Sequence, residues 1–130
     1  MGEMITVLKS KIHMATVTDA NENYEGSIEI SKFLMDAIGM QGYEQVHVLN
    51  ASNGQRVITY TIPNEEQQDD GGIICVNGPA AKHFCVGDKV VIISYALIST
   101  PWYFTAHTLY VDEDNRIDKV KDIPYDYSKK

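Results

Sequence analysis

Along residues 4 to 18, MITVLKSKIHMATVT, apolar and polar positions alternate loosely and β-branched residues are dense, which predicts one long strand or two. The turn formers of DANENYEG then interrupt, and SIEI resumes as a short strand. In SKFLMDAIG the period changes. Phe33, Leu34, Ala37 and Ile38 fall at helical spacing, Ser31 stands at a cap position and Gly39 at a stop, so a short helix is expected.

The clearest local signal is EQVHVLNASNGQRVITYTI, two alternating runs on either side of Asn53-Gly54, the dipeptide that best accepts a positive φ in a tight turn. A hairpin is expected there. PNEEQQDDGG is polar, acidic and aperiodic, and predicts a surface loop. A short buried run, IICV, follows, then the compact NGPAAKHF with a helical turn near residue 80, then VGDKVVIISYAL, long and β-branched enough to cross a core. STPWYFTAHT yields no firm element. LYVDEDNRI predicts a strand running into an Asp/Asn turn, and the tail DKVKDIPYDYSKK is expected to fray at its end. Short strands at close spacing, with one short helix, favour a small β-barrel over a sandwich.

A chain of 130 residues suits one domain with a real core, and no repeat or linker divides it. No apolar run approaches the roughly 20 residues of a membrane-spanning helix. The opening MGEMITVLKSKIH carries charge too early and too often for a secretory signal, so a cytoplasmic address is expected. Eighteen acids against eleven bases give a net charge of −7, which disfavours nucleic acid and anionic membranes as partners while leaving room for a local cationic site. Cys75 and Cys85 lie in apolar surroundings without CxxC spacing, and both are expected as buried, reduced thiols. His13, His47, His83 and His107 form no metal-ligand spacing, so no metal is expected.

Composition alone leaves function open. The chemistry-bearing residues are Lys11, His13, Tyr24, Gly26-Ser27, Arg56, Thr59-Tyr60 and Asn77-Gly78. Each has an ordinary structural explanation: a Gly-Ser turn, a solvated pair on a strand face, a charge beside a hairpin, a half-buried tyrosine, an Asn-Gly turn. In their order and spacing, however, LKSKIHMATVTDANENYEGS, NASNGQRVITYTI, IICVNGPAA, VGDKVVIISYA and VDEDNRI resemble the pyruvoyl-dependent aspartate 1-decarboxylase family across nearly the whole chain.

The resemblance implies a double-psi β-barrel, a homotetramer with active sites between subunits, and L-aspartate as substrate, converted to β-alanine and CO2. It also implies cleavage between Gly26 and Ser27, leaving a short chain, 1–26, and a longer one, 27–130, that begins with a pyruvoyl group made from Ser27. Such a ketone joins the substrate amine and accepts the electron density that decarboxylation leaves on Cα, so neither metal nor pyridoxal phosphate is expected. Whether an accessory factor assists the processing is left open. By the same resemblance, Thr59 would polarise the Gly26 carbonyl and Tyr60 would return a proton to the substrate carbanion. Arg56 and Lys11 would hold carboxylate, Asn77 and the amides around Gly78 would bond the pyruvoyl or substrate oxygens, and His13 and Tyr24 would shape the pocket. Glycine suits position 26 because it neither shields the carbonyl nor forbids an unusual conformation.

The chain departs from the family pattern at Pro79, where alanine is usual and an amide donor is lost, at Met14, and in the segments 63–72 and 100–108. Two other functions stay open: a non-catalytic barrel that binds a small anion or a protein, and a pyruvoyl decarboxylase for another acidic amino acid.

Overall fold

The computed structural model describes residues 2–66, 71–100 and 102–128. Strands form at Met4–Thr16 (β1), Asp19–Asn21 (β2), Ser27–Ser31 (β3), Gln45–Asn50 (β4), Arg56–Asn64 (β5), Ile74–Asn77 (β6), Lys89–Ser99 (β7), Tyr103–Val111 (β8) and Ile117–Asp126 (β9). A short helix, Lys32–Ala37 (α1), and a 3₁₀ turn at Pro79–His83 accompany them. The fold is mainly β and is the small barrel expected, with sheet order β2-β6-β3-β5-β4-β7-β1-β8-β9.

Alternation drives the closure. Ile12, Ile28, Ile30, Val46, Val48, Ile74, Val76, Val90, Ile92 and Leu109, from six of the strands, converge with Leu34, Met35 and Ile38 in one core. Each such side chain, fully removed from water, contributes about 1.5–3 kcal/mol. The hairpin β4–β5 and the pairs β4–β7 and β1–β7 are antiparallel, whereas β3–β5, β1–β8 and β2–β6 run parallel.

Several local expectations need correction. DANENYEG is not turn throughout, because Asp19–Asn21 pairs with Cys75–Asn77 as a short parallel strand. Ser31 does not cap α1 through its side chain. Its hydroxyl instead accepts the Ile73 amide at 2.6 Å, which ties the end of β3 to the approach of β6. At the hairpin only Gly54 takes a positive φ, 77°, and the connection is longer than two residues, with the Asn50 amide donating to the Gln55 carbonyl. Pro63 and Asn64 extend β5 rather than opening the loop, and Gly71 and Gly72 pack against Asp114 and Asn115; residues 67–70 of that loop lie outside the described set. The segment without a firm element contributes β8, and most of the tail is β9, paired with β8 from Val111 to Tyr103; positions 129–130 lie outside the described residues. Cys75 is buried as expected, but Cys85 is exposed.

Candidate active site

Register assembles the site. In β3 and β6, Ser27 stands opposite Asn77 and Glu29 opposite Cys75. On the other side of β6, Asn21 pairs with Asn77 and Asp19 with Cys75. The β3–β5 pairing begins at Ile28 with Thr61, so one step back sets Tyr60 alongside Ser27, with Thr59 next to Tyr60 and Gly26 next to Ser27 just beyond the ladder. Tyr60, Ser27, Asn77 and Asn21 therefore form a row across adjacent strands, on the opposite face from Ile28 and Val76 of the core.

Within this row Ser27 is 5% exposed, and Asn77 Nδ2 donates to Ser27 Oγ at 3.4 Å. Asn77 Oδ1 in turn accepts from Cys75 Sγ at 3.3 Å. Burial, reinforced by the Asp19 and Glu29 carboxylates, pushes the Cys75 thiol up to about 11, so the sulfur is a protonated donor and not a nucleophile. Glu29 is itself held by Asn64 Nδ2 at 3.0 Å.

The backbone is unusual at the same place. Ser27 has φ 120°, a region costly for any residue with a Cβ. The strain thus lies on Ser27; Gly26 does not adopt a positive φ, and a Cβ there would meet nothing within 4 Å. The glycine that geometry demands is Gly78, at φ 78° and ψ −163°. A Cβ on Gly78 would lie 2.7 Å from Gly26 Cα and 2.9 Å from Gly26 N. Gly78 is pressed against the Glu25–Gly26 peptide and Gly26 Cα, one step ahead of the Gly26–Ser27 bond. Its amide donates to the Asn21 carbonyl at 2.9 Å. No hydrogen bond joins the Thr59 hydroxyl to the Gly26 carbonyl among the described residues.

Tyr60 stacks on Tyr43 with centroids 6.0 Å apart and planes 17° apart, which holds its ring beside the row. Arg56 lies four residues back along β5 on the same face, about 13 Å at strand rise, and its guanidinium donates to His47 Nδ1 at 3.1 Å. His47 is also braced by the edge contact of Tyr95 at 5.0 Å. Tyr24 is exposed, in the loop leading to Gly26.

Lys11 and His13 are not brought to Ser27. Both are on β1, with β7 and β4 standing between it and β5. Lys11 faces outward in a row with Ile93, His47 and Ile58. His13 packs against Tyr110, with ring centroids 5.6 Å apart, and its buried Nδ1 has no hydrogen-bond partner among the described residues. Among those residues, no group of three or more His, Cys, Asp or Glu side chains could hold a metal ion.

The family pattern described as aspartate decarboxylase matches residues 3–118. The chain belongs to the aspartate decarboxylase family. Aspartate 1-decarboxylase of Dehalococcoides mccartyi strain 195 is 51% identical over 117 residues, covering 88% of this chain and 92% of the relative. The enzyme of the same name from Caldicellulosiruptor bescii is 46% identical over 120 residues, 91% of each chain. That of Clostridium botulinum strain ATCC 19397 is 47% identical over 118 residues, covering 89% of this chain and 91% of the relative.

Sequence reasoning gives Cys75, His47, Asn21 and Tyr43 no place in the site. Period two was the available signal for the first two: Cys75 precedes Asn77 by two residues in one strand, and His47 shares a face with Gln45 and Leu49 in the hairpin.

Proposed function

We propose that this chain is a self-processing, pyruvoyl-dependent aspartate 1-decarboxylase that converts L-aspartate to β-alanine and CO2. The observation that carries the proposal is the environment of Ser27: a serine at φ 120°, preceded by a glycine whose Cα and N lie against Gly78, with an amide donor aimed at its hydroxyl. This arrangement favours rearrangement of the Gly26–Ser27 bond. Ser27 Oγ adds to the Gly26 carbonyl carbon, the C–N bond breaks, and the hydroxyl proton passes to the released nitrogen, giving an ester. Loss of the Ser27 Cα proton and cleavage of the Cβ–Oγ bond then leave Gly26 as a carboxylate and residue 27 as dehydroalanine. Water replaces ammonia at that residue and yields the pyruvoyl group. Splitting frees the residue 27 nitrogen from the preceding peptide, so the cost of its φ, about 1–3 kcal/mol, is released.

The residues present suit a pyruvoyl group at position 27. The missing Cβ of Gly78 lets the Gly26 backbone lie against it, and Asn77 offers an amide donor at the former Oγ position. When formed, the group supplies an electron sink for decarboxylation. Around it, Tyr60 would return a proton to the substrate carbon, and Thr59 would polarise the Gly26 carbonyl. Arg56, with its planar fork, is the carboxylate clamp, and Tyr24 covers the entrance. Lys11 and His13 complete a site only when a second copy brings its β1 to the first copy's β5. Their separation within one chain and the unpartnered His13 Nδ1 support a homotetramer with active sites between subunits. A cytoplasmic address is part of the same proposal, and among the described residues no helix is long and apolar enough to cross a membrane.

The test is an amine-release assay on purified protein with L-aspartate and, separately, L-glutamate, alongside Ser27→Ala. β-Alanine from aspartate by wild type, and none by Ser27→Ala, is expected. Faster turnover of glutamate would reassign the substrate, and no product from either would leave a binding barrel.

A further inference from the structure

We propose that Cys75 is a positioning residue for self-processing: its S–H, donated to the Asn77 carbonyl oxygen, fixes the side-chain amide so that the NH2 group is donated to Ser27 Oγ. The inference rests on the self-processing reading above and assigns a role to a buried thiol that this reading does not use.

An asparagine side chain has an accepting end and a donating end, and its neighbours decide which end points where. Here the neighbours are Cys75 Sγ, 3.3 Å from Oδ1, and Ser27 Oγ, 3.4 Å from Nδ2. Cys75 and Asn77 project from the same face of β6, and Asn77 sits opposite Ser27 in the ladder, so the three groups are in series by register. A serine hydroxyl can donate or accept and imposes no direction of its own. Direction must come from the sulfur. Only a protonated thiol donates, and burial between Asp19 and Glu29 keeps this one protonated. A thiolate would instead attract the NH2 group and turn the amide oxygen toward Ser27.

The orientation matters at both bond-breaking steps. The Asn77 N–H occupies one lone pair of Ser27 Oγ and leaves the other to add to the Gly26 carbonyl carbon. In the elimination, Oγ departs with Gly26 as part of a carboxylate, and the same N–H meets the charge that develops on it. The reversed amide would present an acceptor to that oxygen and oppose the step.

The experiment follows the rate at which fresh protein splits, by intact mass, in wild type, Cys75→Val, Cys75→Ser and Asn77→Ala. Valine keeps bulk and suits a strand but removes the donor; serine keeps a donor. Splitting is expected to slow by roughly 3- to 10-fold in Cys75→Val and to stay within about twofold of wild type in Cys75→Ser. In the Asn77→Ala background Cys75→Val should cause no further slowing, because the thiol acts only through the amide. Equal rates in wild type and Cys75→Val, equal slowing by valine and serine, or additive slowing with Asn77→Ala would each overturn the inference while leaving self-processing intact. Wild-type protein that never splits would overturn both. Thermal unfolding of each variant, measured alongside, separates a lost fold from a lost rate.

Discussion

Replacing Gly78 by alanine should damage the site more than the fold. At φ 78° and ψ −163° the residue occupies territory essentially reserved for glycine, and a Cβ there costs about 1–3 kcal/mol in backbone strain. The new Cβ would also stand 2.7 Å from Gly26 Cα, so the Gly26 backbone must retreat by about 0.7 Å to reach the 3.4 Å of ordinary contact. Together these predict a loss of about 2–4 kcal/mol in stability, tolerable for a domain of this size. The displaced atoms are next to the carbonyl that Ser27 must attack, and misplacement approaching an ångström costs about a hundredfold in rate. Splitting of Gly78→Ala, followed by intact mass over hours, should therefore be slower by a factor of roughly 10 to 100. Gly54→Ala is the control: its φ is 77°, but nothing lies within 4 Å of its added Cβ, so it should lose about 1 kcal/mol and split normally. Wild-type splitting in Gly78→Ala, or equal slowing in Gly54→Ala, would refute the claim that Gly78 shapes the scissile peptide.

Other outcomes follow from the same geometry. Tyr60→Phe should still split but lose turnover by about 10²- to 10⁴-fold, as expected of a missing general acid; the two rates are read by mass and by β-alanine release. His47→Ala should raise KM for aspartate by about two- to fivefold with little change in kcat or in splitting, because it frees Arg56 without removing it, and His47→Asn, which keeps an acceptor, should restore KM. Cys75 adds a pH signature. Its folded value, about 11, lies above the ordinary 9.0, so below pH 9 the thiol is protonated in both states and stability is unaffected. Between pH 9 and 11 the unfolded chain releases the proton first, so wild type should lose more stability on denaturant titration than Cys75→Val over that interval.

The parts of the molecule that could be anticipated from sequence are those whose signal is local. The alternation of β1, β4, β5 and β7 reports a face turned to the core, and the Asn53-Gly54 break marks the hairpin. β9 is hidden because nearly all its side chains are exposed; its backbone ladder to β8, with the His107–Asp122 and Lys119–Tyr110 side-chain contacts, holds it, and nothing in its pattern betrays a buried face. Ser31 was misjudged for a related reason. A cap and a cross-strand acceptor need the same hydroxyl, and only the position of Ile73, 42 residues away, decides between them. The site residues were legible as a set through resemblance, since five blocks in order are specific where each residue alone is not. What could not be read was how they touch. The Asn77–Ser27 bond joins residues 50 apart in sequence, and the contact of Gly78 with Gly26 depends on the register of β3 and β6. Lys11 and His13 show the limit from the other side, because β7 and β4 stand between their strand and β5.

The most direct measurement is the intact mass of freshly purified wild-type protein during incubation, with and without a hydrazine. The account predicts two species, residues 1–26 and 27–130, the larger without a free amine at its start and gaining one hydrazone. A single full-length mass that persists and takes up no hydrazine would contradict it.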